Sequence, residues 1–294
     1  MYPEILTIGP FTVHSYGLML GISFIVASWM LSKEFERRGV DSNLATEITL
    51  LAIIFGVLGS KLFHLFANPA EFRSDPVGAL FSPGGLTFHG GLLLAMLAIY
   101  IRMRMKKIPF LFVADSVVPA LALAYGIGRI GCHLAGDGDY GLPTDLPWGT
   151  NYENGIVKPS MMFLGSKVAS AYPGGLVPDN TPLHPTPIYE FIAMSIFAFV
   201  LYKLQRKDWP IGKLFSIYLM GAGIERLLIE IIRLNPVVFL GLSEAQIVAV
   251  GLIIAGSFGL YYYTYQNPNK PRFVPPDSIK PKKEEKSTPH KTKK

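Results

Sequence analysis

In the stretch GAGIERLLIEIIRLNP, Arg226, Glu230 and Arg233 stand at i, i+4 and i+7, a spacing that puts all three side chains on one face of an α-helix. Glu225 points about 100 degrees away from them. A second cluster, GIGRIGCHLAGDGDYG from Gly126 to Gly141, follows an uncharged apolar run and presents Arg129, the single cysteine Cys132, His133, Asp137 and Asp139. TFHGGLL supplies His89 with Gly90 and Gly91, GSKLFHLF supplies Lys61 and His64, and HPTPIYE supplies His184, Tyr189 and Glu190. Two or more arginines in a low-dielectric pocket suit a phosphate, because guanidinium forks bind its oxygens bidentately and stay charged when partly buried. Histidine is the side chain best poised for proton transfer near neutral pH. Each feature also has a plainer reading: an Arg/Glu pair that locks helices together, and a histidine that only packs or hydrogen-bonds.

The elements that must position these residues are membrane spans. Of the 294 residues 50% are hydrophobic and 16% charged, with a mean hydropathy of +0.35, against about a quarter charged in soluble domains. A bilayer-spanning helix needs about 20 mostly apolar residues. Seven windows of that kind occur, at 15–32, 47–67, 85–103, 110–134, 188–205, 211–232 and 244–264. The expected fold is therefore an all-α polytopic membrane protein. The first span lacks a basic residue before it and a small-residue cleavage pattern after it, so it is expected to stay. One cysteine excludes an internal disulfide framework, and no C-x-x-C or H-E-x-x-H spacing points to a metal.

Basic residues set the orientation, since Lys and Arg accumulate in cytoplasmic loops. Lys33, Arg37 and Arg38 follow the first span; Arg102, Arg104, Lys106 and Lys107 follow the third; Lys203, Arg206, Lys207 and Lys213 follow the fifth; the tail carries nine more. The alternate segments hold only Arg73, Lys158, Lys167 and Arg233, a ratio of 20 to 4. The N-terminus is expected outside and the C-terminus in the cytoplasm. The net charge of +6 is mostly a topology signal, and no basic residues interleaved with aromatics suggest nucleic acid. From about residue 266 the Pro-, Lys- and Glu-rich sequence reads as a disordered basic tail, leaving 1–265 as the membrane domain. Residues 136–187, rich in Gly, Pro, Asp, Asn and aromatics, read as an ordered outer loop or cap, longer than a connector needs.

With this topology, Tyr16, Lys61, His64, His89, Arg129, Cys132, His133, His184, Glu190, Arg226, Glu230 and Arg233 all fall toward the outer leaflet. Ionisable groups cost about 2.5–3.5 kcal/mol each at the bilayer centre on insertion scales, so their gathering at one depth marks a site. Phosphates at that depth belong to phospholipids. The glycines of HGG and GIGRIG allow a headgroup or another helix to approach the backbone. Asp115, near the inner end of its span, reads as a structural cap or pair. A transporter or channel for an anionic solute is the alternative, but it calls for charged or unwound segments near the midplane and repeated halves.

The chain resembles the phosphatidylglycerol:prolipoprotein diacylglyceryl transferases of bacterial inner membranes. SYGLML around Tyr16, GSKLFHLF, TFHGGLL, GRIGCHLAGDGDYG, HPTPIYE and ERLLIEIIR carry the resemblance, in the family's order, over about residues 10–262. It implies transfer of the diacylglyceryl group of phosphatidylglycerol to the lipobox cysteine thiol of a prolipoprotein signal peptide, forming a thioether and releasing glycerol phosphate. By carry-over, His89 matches the essential histidine, Arg129 and Arg226 the phosphate-handling arginines, Glu230 the acidic partner of Arg226, and Tyr16 the tyrosine of the first-span motif. Asp137, Gly90, Gly91, Lys61, Arg233 and His184 complete the expected substrate-binding set. The family's usual Asn and Glu are replaced here by Cys132 and Asp137, and its second-span arginine by Lys61. No metal or organic cofactor is expected, since the nucleophile arrives with the substrate. A monomer is expected, with no nucleic acid as partner.

Overall fold

The computed structural model describes residues 1–9, 11–81, 87–266, 276, 279 and 280. A hairpin, β1 (Glu4–Ile8) and β2 (Phe11–His14), leads into α1 (Ser15–Arg37), followed by α2 (Asn43–Ala67), the short α3 (Pro69–Ser74) and α4 (Pro76–Phe81), α5 (Phe88–Met105) and α6 (Phe110–Ala135). Next come β3 (Thr150–Asn151), the single turn α7 (Pro159–Met162) and β4 (Pro182–Leu183). Then follow α8 (Thr186–Leu204), α9 (Lys213–Glu230), the hairpin β5 (Val237–Phe239) and β6 (Leu242–Ser243), and α10 (Glu244–Tyr261). The chain is mostly helical, as expected; the antiparallel pairs β1–β2, β3–β4 and β5–β6 are short additions, in connections between helices or at the N-terminus.

Among the described residues, α1, α2, α5, α6, α8 and α10 with its continuation to Gln266 are long and apolar enough to cross a membrane. The expected seventh span corresponds to α9, whose 18 residues include Lys213, Glu225, Arg226 and Glu230. Large apolar side chains face outward along the helices, among them Ile25 and Phe258, each 70% exposed. A soluble surface rarely carries so much contiguous apolar area.

The chain divides into two compact units, residues 1–30 with 110–273 and residues 31–109 with 274–294. In the first, α6 packs along α8, and α9 pairs with α10. Val118, Ala122, Met194, Ala198, Leu201 and Leu214 form its buried core. Small residues let these helices approach: a Cβ on Gly223 would stand 2.6 Å from the Ala249 carbonyl oxygen. Asp115 caps α9, accepting from Gly212 N–H at 2.6 Å and Phe215 N–H at 2.7 Å; this is the structural capping role expected of it, and it explains why α9 begins at Lys213. Gly136, with φ +60°, turns the chain out of α6. Residues 136–185 then fold over an apolar core of Tyr140, Tyr152, Phe163, Ala169, Val177 and Leu183, forming a small ordered cap.

The second unit is built on the α2–α5 pair. Thr87 ties the start of α5 to α2, its N–H and hydroxyl both donating to the Ser60 carbonyl at 3.2 and 3.1 Å. The tail expected over 266–294 lies almost wholly outside the described residues; within it, Ile279 is buried and its carbonyl accepts from Asp41 N–H at 2.7 Å.

Candidate functional site

Arg129 lies one and a half turns from the end of α6 and Arg226 one turn from the end of α9. Between them stands Glu190 of α8, whose side chain is fully buried. Its Oε2 lies 3.2 Å from Arg129 Nε, while its Oε1 accepts from Arg226 Nη1 at 3.3 Å and from Tyr125 Oη at 2.7 Å. Tyr125 Oη in turn accepts from Arg129 Nη2 at 2.8 Å. Tyr125 and Arg129 are four residues apart on α6, so one helix face delivers both.

Around this hub further ion pairs form. Arg226 Nη2 pairs with Glu230 Oε2 at 3.3 Å. Glu230 Oε1 accepts from Asn235 Nδ2 at 2.7 Å and from Ser243 Oγ at 2.5 Å, which ties α9 to the β5–β6 connection. Asp139 bridges two guanidinium groups, one oxygen to Arg129 Nη1 and the other to Arg233 Nη2. Burial alone pushes the Asp139 carboxyl up, but Arg129 and Arg233 outweigh it and hold it below the ordinary carboxylate range. Arg233, only 6% exposed, keeps Nε and Nη1 buried without a hydrogen-bond partner among the described residues. Three arginines thus converge through two bridging carboxylates, and one retains spare buried donors.

The structure differs from the sequence expectation in detail. Arg226 and Glu230 share a helix face as the spacing predicts, but α9 ends at Glu230 and Arg233 sits in the turn beyond. Arg129 pairs with Asp139, while the expected substrate-binding Asp137 has no ion pair with it; the chain turns at Gly136 and Gly138, both of positive φ, before reaching the arginine. Asp137 instead stands near Cys132; burial first, then the Asp139 charge, push its carboxyl up. Cys132, Asp137 and Asp139 bring ligand-type atoms within 4.8 Å of one another, but Asp139 already has one oxygen on each of two arginines. That donor set reads as charge compensation for guanidinium groups.

His184 sits where β4 meets α8, its Nδ1 3.3 Å from Tyr189 Oη, which accepts from Trp148 Nε1 at 2.7 Å. Its backbone pairs with the chain leaving Asp139: Gly141 N–H donates to the His184 carbonyl at 2.9 Å. Tyr16, in the first turn of α1, is half-exposed and lies against Gly131 of α6, where a Cβ would meet the Tyr16 Cα at 3.2 Å.

In the second unit His89 occupies the first turn of α5, exposed, with its ring edge-on to Phe88 at 5.7 Å. Gly90 and Gly91 are buried against α2; a Cβ on either would stand 2.6 Å from a carbonyl oxygen, of Gly59 and Gly56 respectively. Of the two uses sequence allowed for this Gly-Gly pair, close helix approach is the one seen. Lys61 is buried on α2 beside Ser60.

The profile of the family described as prolipoprotein diacylglyceryl transferase matches residues 3–262. The chain belongs to that family. It is similar to proteins named phosphatidylglycerol–prolipoprotein diacylglyceryl transferase. One from Bifidobacterium longum subsp. infantis is 33% identical over 270 residues, covering 88% of this chain and 82% of the relative. One from Clostridium tetani is 31% identical over 259 residues, covering 88% and 96%. One from Corynebacterium glutamicum is 27% identical over 279 residues, covering 92% and 84%.

For a diacylglyceryl transferase of this kind, the hub of the charge network is a residue that sequence reasoning noted only in passing. Glu190 was visible as a carboxylate at the mouth of a span, without the partners that make it central. Tyr125 had one usable signal, its i to i+4 spacing from Arg129. Asn235 and Ser243 had none, since they reach Glu230 only through the fold of β5 and β6.

Proposed function

We propose that this transferase moves the diacylglyceryl group of phosphatidylglycerol onto the lipobox cysteine thiol of a prolipoprotein signal peptide, at the outer face of the bacterial cytoplasmic membrane. The chain crosses that membrane seven times with its N-terminus outside, α9 included, because Arg226 and Glu230 of α9 are paired inside the protein. The thiol sulfur forms a bond to the terminal glyceryl carbon, the carbon–oxygen bond to phosphate breaks, and glycerol phosphate leaves with the electron pair. The observation that carries this reading is the convergence of Arg129, Arg226 and Arg233, with two buried donors of Arg233 lacking a hydrogen-bond partner among the described residues. Such donors suit a phosphate ester whose charge grows as the bond breaks.

Roles follow from the chemistry. Arg129, Arg226 and Arg233 stabilise the departing phosphate, with Asp137 and His184 at the rim of the substrate site. Glu230 holds Arg226. Gly90 and Gly91 set the height of α5, and hence of His89, which takes the thiol proton; a thiol of pKa about 8.5 is mostly protonated at neutral pH. Tyr16, against Gly131 of α6, lines the substrate site. The protein acts as a monomer and uses no cofactor.

The test is incubation of the purified protein with phosphatidylglycerol labelled in its diacylglyceryl part and a lipobox-cysteine peptide. Label is expected on the thiol, with glycerol phosphate released in equal amount. A Cys→Ser peptide that became labelled as fast, or label found only in a free lipid product, would overturn the reading.

A further inference from the structure

The cap carries a groove of about 340 Å³ lined by Pro143, Thr144, Asp145, Tyr172, Asn180 and Pro182, among others. It is joined to the arginine cluster by a backbone ribbon. One arm runs from Asp139 to Thr144, and the other returns from Pro182 through β4 to Thr186 at the start of α8. Thr186 Oγ1 donates to the Asp139 carbonyl at 2.5 Å. His184 N–H then donates to the Leu142 carbonyl, and Thr144 N–H to the Pro182 carbonyl, both at 3.0 Å. The cluster thus lies at one end of this ribbon and the groove at the other. Five residue steps lead from Asp139 to Thr144, a reach of at most about 17 Å.

We propose that this groove binds the polypeptide that follows the acceptor cysteine of the protein substrate, held extended over the cap. The proposal rests on the transferase reading, which requires a chain to continue outward from the reacting thiol. The groove's chemistry fits such a chain. Asp145 and the Asn180 amide oxygen offer acceptors, and the prolines of its wall present no N–H donor to compete for them. An extended peptide supplies one backbone N–H per residue to meet them. The Tyr172 ring and the proline rings give the flat apolar walls on which extended segments dock. Asp145 disfavours acidic residues at this point. The separation places the contact about five residues beyond the cysteine.

The experiment compares two lipobox peptides, one ending two residues after the cysteine and one continuing for eight neutral residues. Both are assayed with wild-type protein and with the double variant Asp145→Ala, Asn180→Ala, whose side chains are exposed. With wild-type protein the longer peptide is expected to show about tenfold higher kcat/KM, the worth of one or two net hydrogen bonds. In the double variant that advantage falls to near unity while the short peptide reacts as before, and Tyr172→Ala acts in the same direction. An equal advantage in both proteins, no length effect in the wild type, or equal losses on both peptides overturns the proposal. So does a change in the KM for phosphatidylglycerol alone. Transfer to the short peptide establishes the chemistry separately; transfer to neither peptide removes the transferase reading and the groove assignment together.

Discussion

Glu190→Gln is the sharpest single perturbation of the charge network. The substitution keeps side-chain shape and removes the charge that stands between Arg129 and Arg226. The amide oxygen still accepts from one neighbour, but the amide NH2 then faces a guanidinium that can only donate. Breaking a buried ion pair costs about 3–5 kcal/mol. Each arginine keeps a second acid, Asp139 for Arg129 and Glu230 for Arg226, so the low end, about 3 kcal/mol, applies. If the arginines are displaced from the phosphate, the same amount appears in the barrier, and kcat/KM falls on the order of a hundredfold. The assay is transfer of labelled diacylglyceryl to a lipobox peptide, run beside thermal unfolding of the detergent-solubilised protein. Glu190→Asp, one methylene short, should recover part of the rate because the charge returns. A Glu190→Gln protein with kcat/KM within threefold of wild type and an unchanged melting temperature would refute the hub argument, since either arginine would then be positioned without it.

Three further outcomes follow from particular contacts. His89→Gln, correctly inserted, should lose transfer by at least about a hundredfold, the usual worth of a general base; near wild-type transfer would place the base elsewhere. Asp139 has a carboxyl held below its ordinary value of about 3.9 by Arg129 and Arg233, so its pairs stabilise the protein above that pH and the benefit fades as pH falls through the depressed value. Asp139→Asn should lower the melting temperature at pH 7 and flatten its decline below about pH 4; an acid limb identical to wild type would show that another carboxylate is responsible. Gly91→Ala puts a Cβ 2.6 Å from the Gly56 carbonyl and onto Ser60 Oγ, an overpacking cost of about 1–3 kcal/mol. Lower yield and a lower melting temperature are expected, partly restored by Ser60→Gly; a wild-type melting curve would mean that α2 and α5 are not in tight register.

Hydropathy and loop charge placed the long helices within a few residues, because a span's length and polarity are fixed by its solvent and need no partner. The i to i+4 pairing of Arg226 with Glu230 was legible for a similar reason: helix geometry alone brings the two side chains together. Asp115 as a structural residue was legible from its depth. The α9 boundary was less so, since Gly212 and the Asp115 cap decide where that helix begins.

What the sequence by itself determined is the class of the protein, its membrane-spanning helices and the residue types that could handle a phosphate, all of which depend on composition and local periodicity. Which acid meets which base was decided only by tertiary structure. Asp137 and Asp139 are equivalent candidates in sequence, two residues apart and both beyond the end of α6. The left-handed turns at Gly136 and Gly138 bring only the second to the two arginines. Glu190 stands 61 positions from Arg129 and 36 from Arg226, by their numbers in the chain, and no local pattern can encode such a meeting. It arises because α8 packs on both α6 and α9, and a charge that enters so dry an interface must find its opposite there.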